Sequence, residues 1–88
     1  MTVGVQRPYT STMRDKALEY GLTSRDQVKK LQTWLYNNNQ YTKPYSSLEA
    51  AADGIYGTNT NAAVENWLND DNNKGKTFQD LMNLVNGV

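Results

Sequence analysis

An all-α domain is what this sequence predicts. Apolar residues recur at helical spacing in its main segments, those segments open on N-cap signatures, and no run alternates with the period of a strand. The expected architecture is a small three-helix bundle with a short additional N-terminal helix. Residues 1–10 read as an extended arm, since Pro8 disfavours helix at Arg7. Residues 11–88 read as a single domain, because a chain of 88 residues has room for one core only.

The elements follow in order. Ser11 and Thr12 are candidate N-caps for a first helix whose Met13, Ala17 and Leu18 share a face, and Gly21 is its C′ stop. Ser24 followed by Gln27 is a capping-box pattern, and Asp26 adds negative charge to the first turn. Val28, Leu31, Trp34 and Leu35 then make one apolar stripe. Asn37, Asn38 and Asn39 end this second helix, because Asn competes for backbone hydrogen bonds. A loop from Gln40 to Ser47 carries Tyr41, Pro44 and Tyr45, and Leu48 to Ala52 suits one brief helical turn. Asp53-Gly54 is a turn signal, with Gly54 taking positive φ. Ile55 is expected to plug the core and Gly57 to release the chain into the next helix. There Thr58 or Thr60 would cap free N–H groups, while Ala63, Val64, Trp67 and Leu68 face inward. After a polar loop from Asn69 to Lys76, Thr77 and Asp80 open a last helix that buries Phe78, Leu81, Met82 and Val85.

Composition narrows the function. Nine basic and nine acidic residues cancel, the pI is near 6.1 and the mean hydropathy is −0.79. A neutral chain lacks the cationic surface that nucleic acid or an anionic membrane requires. Its balance favours a weakly charged partner such as a glycan, a peptide or a protein surface. The sequence contains no Cys and no His, so thiolate and imidazole chemistry is excluded, together with the commonest general base. No segment has the length of a membrane span, and Met1 to Pro8 has no apolar core of a signal peptide.

One stretch carries a distinctive pattern. Val28, Leu31, Gln32 and Leu35 precede a loop and then Asp53-Gly54-Ile55-Tyr56-Gly57-Thr58-Asn59-Thr60-Asn61-Ala62-Ala63-Val64-Glu65-Asn66-Trp67. This resembles the peptidoglycan-binding domain family, which reads V-x-x-L-Q-x-x-L, a loop, then D-G-x-[FY]-G-x-x-T-x-x-A-V-x-x-[FW]. The match runs over roughly Ser24 to Leu68, about half the chain. The sequence departs from the family at Leu68, where Gln is usual. It has Gly75-Lys76-Thr77 in place of a second Asp-Gly motif, and a longer loop between Leu35 and Asp53. The resemblance implies a compact helical bundle that binds cell-wall peptidoglycan, through its glycan or stem peptide, without catalysis or cofactor. It also implies a role in holding a tethered hydrolase near its substrate. Delivery to the wall, by a host or a phage, would then come from outside these residues.

The residues divide into two sets. Leu31, Gln32, Asp53, Gly54, Gly57, Thr60, Ala63, Val64 and Trp67 read as structural, and Trp34 as core. Tyr36, Tyr41, Tyr45 and Tyr56, with Asn59 among the abundant amides, form the candidate ligand set. Tyrosine rings stack on the apolar faces of sugars and amides exchange hydrogen bonds with hydroxyl and N-acetyl groups. A loop tyrosine also serves simply as an anchor, and both readings stay open. Glu49, Asp53 and Glu65 are carboxyls on a chain too small for a deep glycosidase cleft. Asp70-Asp71 lacks the alternating ligands of a calcium loop, and no metal is expected. The alternative from another class is a protein-interaction or structural module, such as a virion component or a small inhibitor, that keeps the fold without binding glycan.

Overall fold

The structure is a computed structural model that describes residues 8–87. It is all-helical: α1 spans Pro8–Glu19, α2 Arg25–Asn37, α3 Leu48–Ala51, α4 Thr58–Asn69 and α5 Phe78–Val85, with a 3₁₀ turn at Asp71–Asn73. No strand occurs among the described residues. Helix α2 is central and packs against α3, α4 and α5, while Met13 and Ala17 of α1, with Tyr20 just after it, join the same core.

The helix ends follow from local chemistry. Ser24 and Gln27 form the reciprocal capping box, with Gln27 N–H donating to Ser24 Oγ (3.3 Å) and Ser24 N–H to Gln27 Oε1 (3.1 Å). Thr77 and Asp80 repeat the device at α5. Helix α1 closes in a Schellman motif: Leu22 N–H reaches Ala17 O at 2.8 Å, Gly21 N–H reaches Leu18 O at 3.0 Å, and Gly21 has φ +79°. Helix α2 closes the same way at Asn39, which sits at φ 58° while Gln40 N–H bonds Leu35 O at 2.9 Å. The asparagine run therefore stops α2 by supplying a left-handed residue, a conformation Asn tolerates better than most.

Several expectations change. Helix α1 begins at Pro8, so residues 8–10 of the expected arm are helical, and residues 1–7 lie outside those described. Proline suits a first turn because its missing N–H is one that no helix start can pair. At 12 residues α1 equals α4 and exceeds the 8 of α5, so it is not the short accessory helix expected. Leu18 is 55% exposed, since Met13, Ala17 and Tyr20 take the inward face one position away. Ile55 does not plug the core: it is 61% exposed, and Tyr56, at 7%, fills that place. Helix α4 carries no side-chain cap, since its N-cap is Gly57 and Thr60 is turned inward. Gly57 itself has ordinary extended backbone, and a Cβ there would meet nothing within 4 Å.

The core contains Leu31, Leu35, Ala63, Val64 and Leu81, all fully enclosed, with Val28 and Trp67 beside them. Tyr20 stacks on Phe78 with ring centroids 3.9 Å apart, which joins α1 to α5. Lys16 and Glu65 pair at 3.7 Å between α1 and α4, a surface contact that contributes little.

Candidate functional site

A buried glutamine organises the matched stretch. Gln32 is 1% exposed and lies on the inward stripe of α2 with Val28, Leu31 and Leu35. Its Nε2 donates to Asp53 Oδ1 (3.0 Å), Ile55 O (3.0 Å) and Thr60 Oγ1 (3.1 Å). Its Oε1 accepts the Gly54 N–H at 2.8 Å. An amide has two N–H bonds for these three acceptors, so one is shared. Asp53 Oδ1 also accepts the Ile55 N–H at 2.9 Å, and Arg25 Nη2 donates to Asp53 O at 3.0 Å. Gly54 has φ +80°, and a Cβ there would stand 3.1 Å from Arg25 Nε. Both features call for glycine. The Gln, Asp, Gly and Thr of the motif are thus parts of one clamp that ties α2 to the turn and to α4.

The clamp also holds the loop after α2. Tyr41 OH shares a 3.1 Å hydrogen bond with Thr60 Oγ1, and Asn66 Nδ2 donates to Gln40 Oε1 at 3.1 Å. Tyr45 stands edge-on to Tyr41, with ring centroids 5.0 Å apart at 80°. Lys43 Nζ lies 5.0 Å from the Tyr45 ring centroid, within cation–π range.

Between this loop and the end of α2 lies an open groove of about 410 Å³, lined by Tyr36, Asn37, Asn39, Tyr41, Lys43, Pro44 and Tyr45. Three of the four candidate tyrosines therefore meet on one surface, beside two amides and one charge. Tyr56 stands apart. Its ring packs edge-on against Tyr20 in the core, and its OH donates to Asn61 Oδ1 at 2.8 Å. It holds α1 and α4 together and offers no exposed face to a sugar. Asn59 is exposed on a second groove of about 330 Å³, which shares Lys43 and Tyr45 as a wall with the first.

Sequence reasoning placed Gln32 in the motif but missed its function as the hub. The signal was present: a Gln on a stripe of Val and Leu positions must find buried partners, since an unpaired buried amide is costly. The Asp-Gly turn and Thr60 are those partners.

Burial pushes the Tyr41 phenol up to about 12; the Thr60 hydrogen bond opposes the rise, while Tyr45 and Asp53 add to it. Burial likewise raises Tyr56, with Tyr20 and Glu65 adding to the effect. The folded state therefore holds both protons more tightly than the unfolded chain, whose tyrosines ionise near pH ~10. This contribution to stability is complete below that pH and is lost as pH climbs toward 12. Urea midpoints measured across this range should fall, with a shallower fall for Tyr41→Phe.

Among the described residues no group of three or more acidic side chains is placed to hold a metal, and no helix is long and apolar enough to cross a membrane. Scans against family models and searches of curated proteins and of solved structures return no match to this chain.

Proposed function

We propose that this chain is a non-catalytic binding module for bacterial cell-wall peptidoglycan, with the groove of Tyr36, Tyr41 and Tyr45 as its saccharide site. The observation that carries the reading is the meeting of these three rings with Asn37 and Asn39 on one open surface. Half-buried tyrosines lose little side-chain freedom on binding, and the neighbouring amides supply both donors and acceptors. The sequence resemblance supplies the ligand class. Glu65 is engaged by Lys16 and by Asn61, and Asp53 Oδ1 by the clamp. A shallow groove gives modest affinity, which suffices when an attached or co-assembled hydrolase gains local concentration from it.

The test is sedimentation with purified peptidoglycan sacculi. Wild-type protein is expected in the pellet, and Tyr36→Ala,Tyr45→Ala protein in the supernatant with an unchanged circular dichroism spectrum. These two positions are chosen because Tyr41 and Tyr56 also hold the fold together. Folded wild-type protein that stays in the supernatant would sink the reading.

A protein-interaction module is the second reading, favoured by one feature. Trp34 is only partly buried and, with Val85, lines a groove between α2 and α5 whose other walls carry Asp26, Lys29 and Lys30. Recovery of a specific protein, with none of the sacculi, would favour it.

A further inference from the structure

The second groove carries opposite charges that do not meet. Lys43 and Asp53 both line it, yet the ion pair present among the described residues is Lys16–Glu65. Each has a separate neighbour. Lys43 lies over the Tyr45 ring. Asp53 is fixed through Oδ1, which accepts from Gln32 and Ile55, while its Oδ2 has no hydrogen-bond partner among the described residues. Asn59 and the backbone before α4 complete the floor. The groove thus offers a cation, a carboxylate oxygen and an amide that are not paired with one another. About 330 Å³ is room enough for an amino-acid branch.

A ligand that bears one charge leaves the opposite wall unmatched. A ligand with an ammonium and a carboxylate on the same carbon satisfies both, with charge-assisted hydrogen bonds at each end. Sharing the Lys43–Tyr45 wall, the two grooves place such a group directly beside the saccharide site.

The geometry points to the second groove as a recognition site for the free zwitterionic centre of a diamino-acid branch on the stem peptide, with Lys43 receiving the carboxylate and Asp53 the ammonium. This inference rests on the peptidoglycan reading and deepens it. It makes the module selective for stem peptides whose third residue is a diamino diacid over those carrying lysine, whose side-chain ammonium has no carboxylate on the same carbon.

The experiment is a titration of the full chain with two soluble probes, a muramyl tripeptide ending in meso-diaminopimelate and its counterpart ending in lysine. Sedimentation with sacculi is run alongside. The diaminopimelate probe is expected to bind about tenfold tighter at low salt, the scale of one charge-assisted contact. That preference should shrink as salt rises. Lys43→Gln is expected to abolish the preference, and Lys43→Arg to retain most of it. Tyr36→Ala, which touches the first groove alone, should weaken both probes equally. Asp53→Asn keeps the Oδ1 acceptor of the clamp and should lower affinity for both probes by removing the ammonium's partner. Equal affinity for the two probes, or a preference that survives Lys43→Gln, overturns the inference even if sacculi still sediment the protein. Failure to sediment with sacculi overturns the peptidoglycan reading and this inference together.

Discussion

Gln32→Ala is expected to destabilise the domain by about 3–4 kcal/mol, measured as a shift in the urea midpoint at unchanged slope. The side chain is enclosed and holds three acceptors and one backbone donor. Truncation leaves the Gly54 N–H and Thr60 hydroxyl short of a partner and opens a cavity between α2 and α4. Gln32→Met separates the two effects, because it preserves volume and removes the hydrogen bonds. It should cost about 2 kcal/mol. A Met variant as stable as wild type would show that the clamp adds no stability. The loop should respond as well, since Tyr41 is tied to Thr60 and Thr60 to Gln32. Loss of the clamp therefore loosens one wall of the groove of Tyr36, Tyr41 and Tyr45 without touching it directly.

Trp67→Ala is expected to cost about 3–5 kcal/mol. Its side chain is 4% exposed and packs in the cluster of Leu31, Leu35, Ala63, Val64 and Leu81. A domain of this size is stable by roughly 5–10 kcal/mol, so the loss is a large fraction of the total. Thermal unfolding followed by circular dichroism should show a midpoint lower by at least 10 °C, at about 4–8 °C per kcal/mol. Trp67→Phe, which keeps an aromatic body, should recover most of the difference.

Much of this fold is legible where local chemistry dictates it. Ser24 with Gln27 and Thr77 with Asp80 specify two helix starts by hydrogen bonds that need no tertiary partner. Val28, Leu31 and Leu35 specify the buried face of α2 by spacing alone. Legibility fails where periodicity lapses. Residues 53–57 form a turn, so nothing local says whether Ile55 or Tyr56 enters the core. The answer depends on Tyr56 reaching Tyr20 across the bundle while its OH meets Asn61. Thr60 reads as a helix cap from position, yet the buried Gln32 amide claims its hydroxyl. At the end of α1 the apolar spacing is satisfied equally by Leu18 or by Tyr20 in the following turn, and contact with Phe78 selects Tyr20.

The candidate site divides along the same line. Tyr36, Tyr41 and Tyr45 are close in sequence, so one loop returning to the end of α2 gathers them, and proximity along the chain anticipates proximity in space. Tyr56 shares their residue type and lies 11 positions beyond Tyr45, but the clamp turns the chain there and directs its ring inward. Residue type marks candidates, and the turn at Asp53-Gly54 decides which of them face solvent.

The most direct measurement is a ¹⁵N-edited NMR titration of the full chain with soluble muropeptides from a lysozyme digest of sacculi. Shift changes are expected at residues 36–45, extending to Asp53 and the start of α4 at residues 57–59, with the Trp34 and Val85 amides unmoved. Changes confined to the α2–α5 groove, or no changes at saturating muropeptide, would contradict the proposed function.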